Sequence, residues 1–282
     1  MSEYRRLLVD GNVTEVVRRK DEFVSAHGEV VDVENAIHLP PSEPSKIICL
    51  HLGYWSRVNE LSVENIQFPS FFHKPVSCLN AHGGIVLRPQ GCQYLNFEGE
   101  IAVVIGRTTR GISPAQAEAH IAGYTIANDF GLHDFREADS NSMLRVKGTD
   151  SLGVVGPGLV TDWDPRDRKI RTLVNGSVVQ EDSTSNMVWD FNYLVADVAR
   201  TITLEKGDLI LTGTPANSRP VQPGDEVTVQ VDGLGELACT IGESAPVLEG
   251  FGAMPADSAA IRGLALGTGL TSPDTRSPTG SR

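Results

Sequence analysis

An α+β fold dominated by strands is predicted by three observations. Asp-Gly and Asn-Gly dipeptides recur between β-rich flanks, the longest apolar runs are of strand length, and only two segments carry helical signals. Asn-Gly and Asp-Gly accept the positive φ angles of a type I′ turn, so each marks a hairpin.

Taken in order, "LLVDGNVTEVV", "RTLVNGSVVQ" and "VTVQVDGLGELACTI" are the three hairpin signals. "SPAQAEAHIAGY" opens a helix, with Ser113 as N-cap and Pro114 at the first helical position. In "WDFNYLVADVARTITL", Phe191, Leu194, Val195, Val198, Ala199 and Ile202 fall at i, i+3, i+4, i+7, i+8 and i+11. That spacing predicts an amphipathic helix of about three turns capped by Asp190. Residues 1–45 read as a small β-rich opening that ends in the loop "LPPSEPS", and 46–250 as the main body. From 251 to 282 the chain is rich in Gly, Ser, Thr and Pro without strand rhythm, which predicts a disordered tail.

The 282 residues suffice for a full core, and 40% hydrophobic with 21% charged residues describes an ordinary globular protein. A net charge of −12 argues against nucleic acid or an anionic membrane as partner. Cys49, Cys78, Cys92 and Cys239 are scattered with no CxxC pair, which fits a reducing cytoplasm better than a disulfide framework or a thiolate metal cluster. The N-terminus lacks the apolar core of a signal peptide, and no apolar run is long enough to span a bilayer. A cytoplasmic location is expected.

One strand-like stretch breaks the pattern. In "YLNFEGEIAVVIG", Glu98 and Glu100 sit beside an apolar run. At i and i+2 of a strand they share a face, with Gly99 on the other. Two adjacent carboxylates repel, so one takes a proton or a cation sits between them. An oxygen-only donor set favours Mg²⁺, Mn²⁺ or Ca²⁺ over zinc. Asp129, ending the apolar part of "YTIANDFGLHD", is a third acid. A Glu-x-Glu pair is also common on a solvated strand face, so the spacing alone leaves both readings open.

The order "FEGEIAVVIG", "GYTIANDFGLHDFR", "LRVKGTDSLGVVGPGLV", "LVNGSVVQEDSTSNMVWD" and "ITLEKGDLILTGTPA" resembles the fumarylacetoacetate hydrolase family over roughly 46–243. The nearest resemblance is to its bacterial aromatic-catabolism branch, the 2-hydroxyhepta-2,4-diene-1,7-dioate isomerases and 5-carboxymethyl-2-oxo-hex-3-ene-1,7-dioate decarboxylases. The resemblance implies a mixed β-roll or sandwich with few helices and a homodimer. It also implies one Mg²⁺ or Mn²⁺, with Ca²⁺ as an alternative occupant in crystals, held by Glu98, Glu100 and Asp129. Lys147 in "RVKGTD" matches the lysine that approaches the bound oxo acid. Thr214 in "LTGTPA" matches the threonine that holds its carboxylate.

The pattern breaks in "KIICLHLGYWSRVNELS". Tyr54 and Glu60 hold their places, but Arg57 stands where many relatives carry a catalytic histidine. A guanidinium stays protonated and accepts no proton from water. Arg57 is therefore a candidate for binding a distal substrate carboxylate, with Glu60 moving the proton. The alternative is that Arg57 only pairs with Glu60. Residues from Tyr54 to about Val63 are expected to form a short helix or lid, with Glu60 reaching the metal when it closes. His133, where relatives carry Arg, is a candidate acid–base group. His51 and His73 rank behind it, and His82 reads as a loop residue at the site's mouth. The expected activity is isomerisation or decarboxylation of a 2-oxo (2-hydroxydienoate) dicarboxylic acid through an enolate. An acylpyruvate hydrolase and a catalytically silent metal- and oxo-acid-binding relative are the competing readings.

Overall fold

The computed structural model describes residues 1–267. Its central strand, Gly99–Ile105, is buried throughout and lies between Ile121–Asp129 and Leu209–Leu211 in a twelve-stranded sheet. From the first edge, the sheet runs through Val30–Val31, Glu22–Ser25, Asn12–Arg19, Ser2–Val9, Gly153–Thr161 and Ile121–Asp129. Beyond Leu209–Leu211 it ends in Ile47–Leu50 and Phe71–Lys74. Ser2–Val9 pairs with Gly153–Thr161 (Ser2↔Thr161), so the β-rich opening continues the main sheet.

A five-stranded sheet, Ser177–Ser183, Lys169–Val174, Glu226–Val231, Gly235–Ser244 and Ile85–Pro89, packs on one face. Ile101, Val103 and Ile105 meet Ile170, Val227, Val229 and Leu237 in the main core. Ala102 and Val104, on the opposite face, pack with Ile47, Cys49, Ala127 and Leu211. Burying each such aliphatic side chain stabilises the sheet by roughly 1.5–3 kcal/mol. Gly99 faces the second sheet so closely that a Cβ there would lie 2.2 Å from Thr172 Oγ1. Its neighbours Glu98 and Glu100 therefore point the other way, as the alternation of a strand requires.

The three hairpins form where the turn dipeptides predict. Asp10-Gly11 and Asn175-Gly176 both have positive φ at each residue, as a type I′ turn demands. The third turn differs: Val231 pairs with Gly235, leaving three residues in the loop, of which Gly233 takes the positive φ. The helix at "SPAQAEAH" is only Pro114–Ala117 continued by a 3₁₀ turn, because Ile121 already enters a strand. The helix Phe191–Ala199 is capped by Asp190, whose Oδ1 accepts from Tyr193 N at 2.7 Å. Its predicted last contact, Ile202, lies beyond the helix and is exposed.

The tail expectation is corrected for 251–267. Helix Ala259–Leu266 forms there and buries Ile261 and Ala265 against Tyr94. Low average hydrophobicity concealed two apolar residues placed four apart, enough for one short helix to dock. The rest of that expectation, 268–282, lies outside the described residues.

Candidate functional site

Glu98, Glu100 and Asp129 converge at one end of the two central strands, offering one carboxylate oxygen each, all within 4.8 Å of one another. Register brings them together: Gly99 pairs with Asn128, and Asp129 N donates to Glu98 O at 2.9 Å. Glu98 precedes the strand Gly99–Ile105 by one residue but keeps its alternation, since its N–H donates to Asn128 Oδ1 at 2.8 Å.

Two buried ammonium groups answer three carboxylates. Lys147, from the short helix Leu144–Gly148, donates to Glu98 Oε2 at 2.6 Å and to the Asp129 carbonyl at 2.9 Å. Burial disfavours its charge, but Asp129 and Glu98 outweigh this and hold its pKa above the usual lysine value. Lys74 pairs with Asp129 Oδ1 and also reaches the carbonyl of Leu152 at 3.2 Å.

Glu100 is left short of partners. Its Oε2 accepts one hydrogen bond, from Gly213 N at 2.7 Å. Burial, then the nearby charges of Asp129 and Glu98, push its carboxyl well above the usual range. Asp129 Oδ2 lies 3.0 Å from Lys147 Nζ without hydrogen-bond alignment and has no other partner among the described residues. A buried acid that must otherwise protonate, beside an unpartnered carboxylate oxygen, fits a hard divalent cation in an all-oxygen set.

The turn behind Glu100 depends on close backbone packing. A Cβ on Gly53 would lie 2.1 Å from the Thr212 carbonyl, and Gly213 takes φ +87°. Thr214 follows, and its Oγ1 accepts from Gln180 Nε2 at 3.1 Å. Gln180 also donates to the carbonyls of Pro215 and Ala216, at 2.9 and 3.0 Å. Tyr54 is fully buried with an unpartnered hydroxyl, whose pKa rises through burial, Asp182 and Glu100.

A cationic wall stands across from the triad. Burial would raise the Glu98 carboxyl, but Lys147 first and then Arg57 hold it below the usual range. The His133 ring is buried, with neither nitrogen hydrogen-bonded among the described residues. Burial, then Lys147, Arg136 and Arg57, depress its pKa well below the usual imidazole value, so it is neutral. It stands beside Lys147: a Cβ on Gly131 would lie 3.3 Å from both His133 Nε2 and Lys147 Nζ.

Arg57 and Glu60 belong to the predicted helix, Trp55–Glu60. Arg57 Nη1 donates to Glu60 Oε2 at 2.6 Å, and Arg219 Nη2 donates to Glu60 Oε1 at 2.7 Å. Asn217 N also donates to Glu60, at 3.2 Å. Burial opposes this carboxylate's charge, yet the two arginines keep its pKa below the usual range. Glu60 thus faces Arg57 and Arg219 rather than the triad.

The structure brings Glu98, Glu100, Asp129, Lys147, His133 and Arg57 into one electrostatic neighbourhood. His51 stays near it, edge-on to Phe72. Two expectations are corrected. His73 is exposed, because in the strand Phe71–Lys74 the inward position belongs to the next residue. His82 packs edge-on against His38 at 4.7 Å and accepts from Ala238 N at 3.1 Å, away from the triad. Lys74, Gln180, Arg136 and Arg219 were missed in the sequence. Lys74 alone left a trace there, as a charged residue closing an apolar strand before proline. A cavity of about 750 Å³ lined by Tyr124, Trp163 and Phe191 contains none of these groups, so chemistry rather than volume marks the site.

Among the described residues no helix is long and apolar enough to cross a membrane. Residues 46–242 match the model of the fumarylacetoacetate (FAA) hydrolase C-terminal family. A 4-hydroxyphenylacetate degradation bifunctional isomerase/decarboxylase from Salmonella dublin is 35% identical over 201 residues, covering 70% of this chain and 47% of the relative. The matched region thus spans about half the length of that curated relative. A mitochondrial oxaloacetate tautomerase from Rattus norvegicus is 34% identical over 209 residues, covering 70% of this chain and 66% of the relative. The crystal structure of 5-carboxymethyl-2-hydroxymuconate delta-isomerase from Mycobacterium smegmatis superposes with a TM-score of 0.80 at 31% identity, covering 86% of this chain and 99% of that one. By sequence match and architecture, the chain belongs to the fumarylacetoacetate hydrolase C-terminal family.

Proposed function

We propose that the protein is an isomerase or decarboxylase of a 2-oxo (2-hydroxydienoate) dicarboxylic acid in aromatic-compound catabolism, dependent on Mg²⁺ or Mn²⁺. The observation that carries this reading is the Glu98–Glu100–Asp129 cluster, with Lys147 bonded to Glu98 and the buried His133 beside that lysine. The names of the Salmonella and Mycobacterium smegmatis relatives agree with it.

Glu98, Glu100 and Asp129 would hold the metal, which supplies Lewis-acid stabilisation of negative charge on the substrate's oxo oxygen. Lys147 aims a second positive charge at the same oxygen, and its low tendency to deprotonate keeps it a donor throughout. Thr214 accepts from Gln180, which leaves its own proton free to donate to the substrate's 1-carboxylate. Arg57 has one nitrogen on Glu60 and others free for a distal carboxylate. His133, beside Lys147 and with neither ring nitrogen hydrogen-bonded among the described residues, is the candidate acid–base group. Neither residue of the helix Trp55–Glu60 is suited to activate water, since Arg57 cannot accept a proton and Glu60 is paired with two arginines.

Four buried cysteines, all free, support a reducing cytoplasm as the location. The family resemblance supports a homodimer, which light scattering would check.

The test is incubation with Mn²⁺ and 5-carboxymethyl-2-hydroxymuconate, following the conjugated chromophore and carbon dioxide release. Loss of chromophore that disappears in Glu100→Gln supports the reading. Pyruvate release from an acylpyruvate without isomerisation would assign a hydrolase. Metal binding without any turnover would leave a silent binding protein.

A further inference from the structure

The family match ends at residue 242, but the chain beyond it returns to the site. Helix Ala259–Leu266 begins at Ser258, whose Oγ accepts from Ile261 N at 3.2 Å, and ends at Gly267 with φ +66°. Ile261 and Ala265 seat it on Tyr94, with Ala256 alongside.

Around this apolar seat, the polar contacts divide between two walls. On one side, Ala256 N donates to the Asp134 carbonyl at 2.9 Å and Ser258 Oγ donates to Glu137 Oε1 at 2.5 Å. Asp134 and Glu137 flank the neutral His133 and the cationic Arg136. On the other side, Asn96 Nδ2 donates to the Ala265 carbonyl at 2.9 Å and to Ser218 Oγ at 3.2 Å. Next to Ser218, the Arg219 guanidinium lies over Gly267 so closely that a Cβ would sit 2.5 Å from its Nη1. A cation at the C-terminal end of a helix is favoured by the backbone carbonyls there. Arg219 continues inward to Glu60, and Glu60 to Arg57.

We propose that residues 256–267 form a strap that joins these two walls. It fixes Arg219 as a positioning residue for the Glu60–Arg57 pair, and so sets recognition of the substrate's distal carboxylate. This rests on the oxo-acid reading given above. A strap that served only to cover Tyr94 would not need a polar contact to each wall.

The experiment uses the full chain with Mn²⁺ and two probe acids of equal carbon number, 2-oxoglutarate and 2-oxovalerate, measured by titration calorimetry. Ile261→Asp undocks the helix, Gly267→Val displaces Arg219 and strains the helix end, and Arg219→Ala removes the link. Each is expected to weaken 2-oxoglutarate by about tenfold, the worth of one misplaced charged contact, while 2-oxovalerate shifts by less than about twofold. Arg219→Lys should recover part of the loss, and Mn²⁺ affinity should stay at the parent value in all four, which also reports that they fold. Equal weakening of both acids, or no change in either, overturns the strap and leaves the oxo-acid reading standing. Failure of the parent protein to bind either acid removes that reading and the strap with it.

Discussion

Lys74 and Asp129 form an ion pair with both side chains sealed from solvent, at 0% and 1% exposure. A buried charge pair of this kind adds little over an apolar pair, but removing one partner strands the other. The second lysine, Lys147, shares the same aspartate at 3.0 Å. The acidic triad is thus partly neutralised from within, and this sets how metal and stability respond to substitution.

Lys74→Met should destabilise the metal-free protein by about 3–5 kcal/mol, because Asp129 loses its buried partner. The same change leaves the triad more negative, so Mn²⁺ should bind more tightly. Urea unfolding without metal and calorimetric titration with Mn²⁺ check the two halves. Unaltered metal affinity would show that Lys74 acts on packing alone.

Glu100→Gln should have the opposite signature. Burial and two neighbouring carboxylates oppose the Glu100 charge, so a neutral isostere should raise metal-free stability by about 1 kcal/mol. It should also abolish stabilisation by Mn²⁺. A thermal scan with and without the metal reads both, and a variant still stabilised by Mn²⁺ would remove Glu100 from the ligand set.

His133 makes a pH prediction. Its folded pKa lies well below 6.5, so on acidification the unfolded chain takes up a proton that the folded chain refuses. Stability from this residue is present above the unfolded pKa and is lost as pH falls through and below it, at up to about 1.4 kcal/mol per pH unit. His133→Gln should therefore lose less stability than the parent between about pH 7.5 and pH 5.5. Parallel losses in urea titrations of both proteins would contradict a neutral, buried His133.

Arg57→Leu should raise KM for a dicarboxylic 2-oxo acid by about tenfold or more, with a smaller change in kcat, since it removes a charge-assisted contact distant from the reacting carbons. Arg57→Lys should recover only part, because an ammonium lacks the planar fork. A fall in kcat at constant KM would place Arg57 in proton transfer instead.

Much of this site was legible in the chain because strand geometry is local. Glu98 and Glu100 share a face on account of period two alone, and Asp10-Gly11 and Asn175-Gly176 set their hairpins through φ angles that few residues accept. Motif order gave the family, hence Asp129, Lys147 and Thr214. Arg136 and Arg219 were not legible, because arginine is ordinarily a surface residue and nothing nearby in sequence marks these as paired, and Lys74 left only its place at the end of an apolar strand before proline.

Sequence by itself determined the strand-rich class, the carboxylate pair and the arginine that stands in a base's usual place. Only the tertiary structure decided that Lys74 belongs to Asp129 and that two arginines pair with Glu60. It also decided that a segment read as a disordered tail folds back onto the site. The reason is physical: period and turn chemistry act over a few residues, whereas charge compensation depends on which distant segments the sheet brings within a few ångströms of each other.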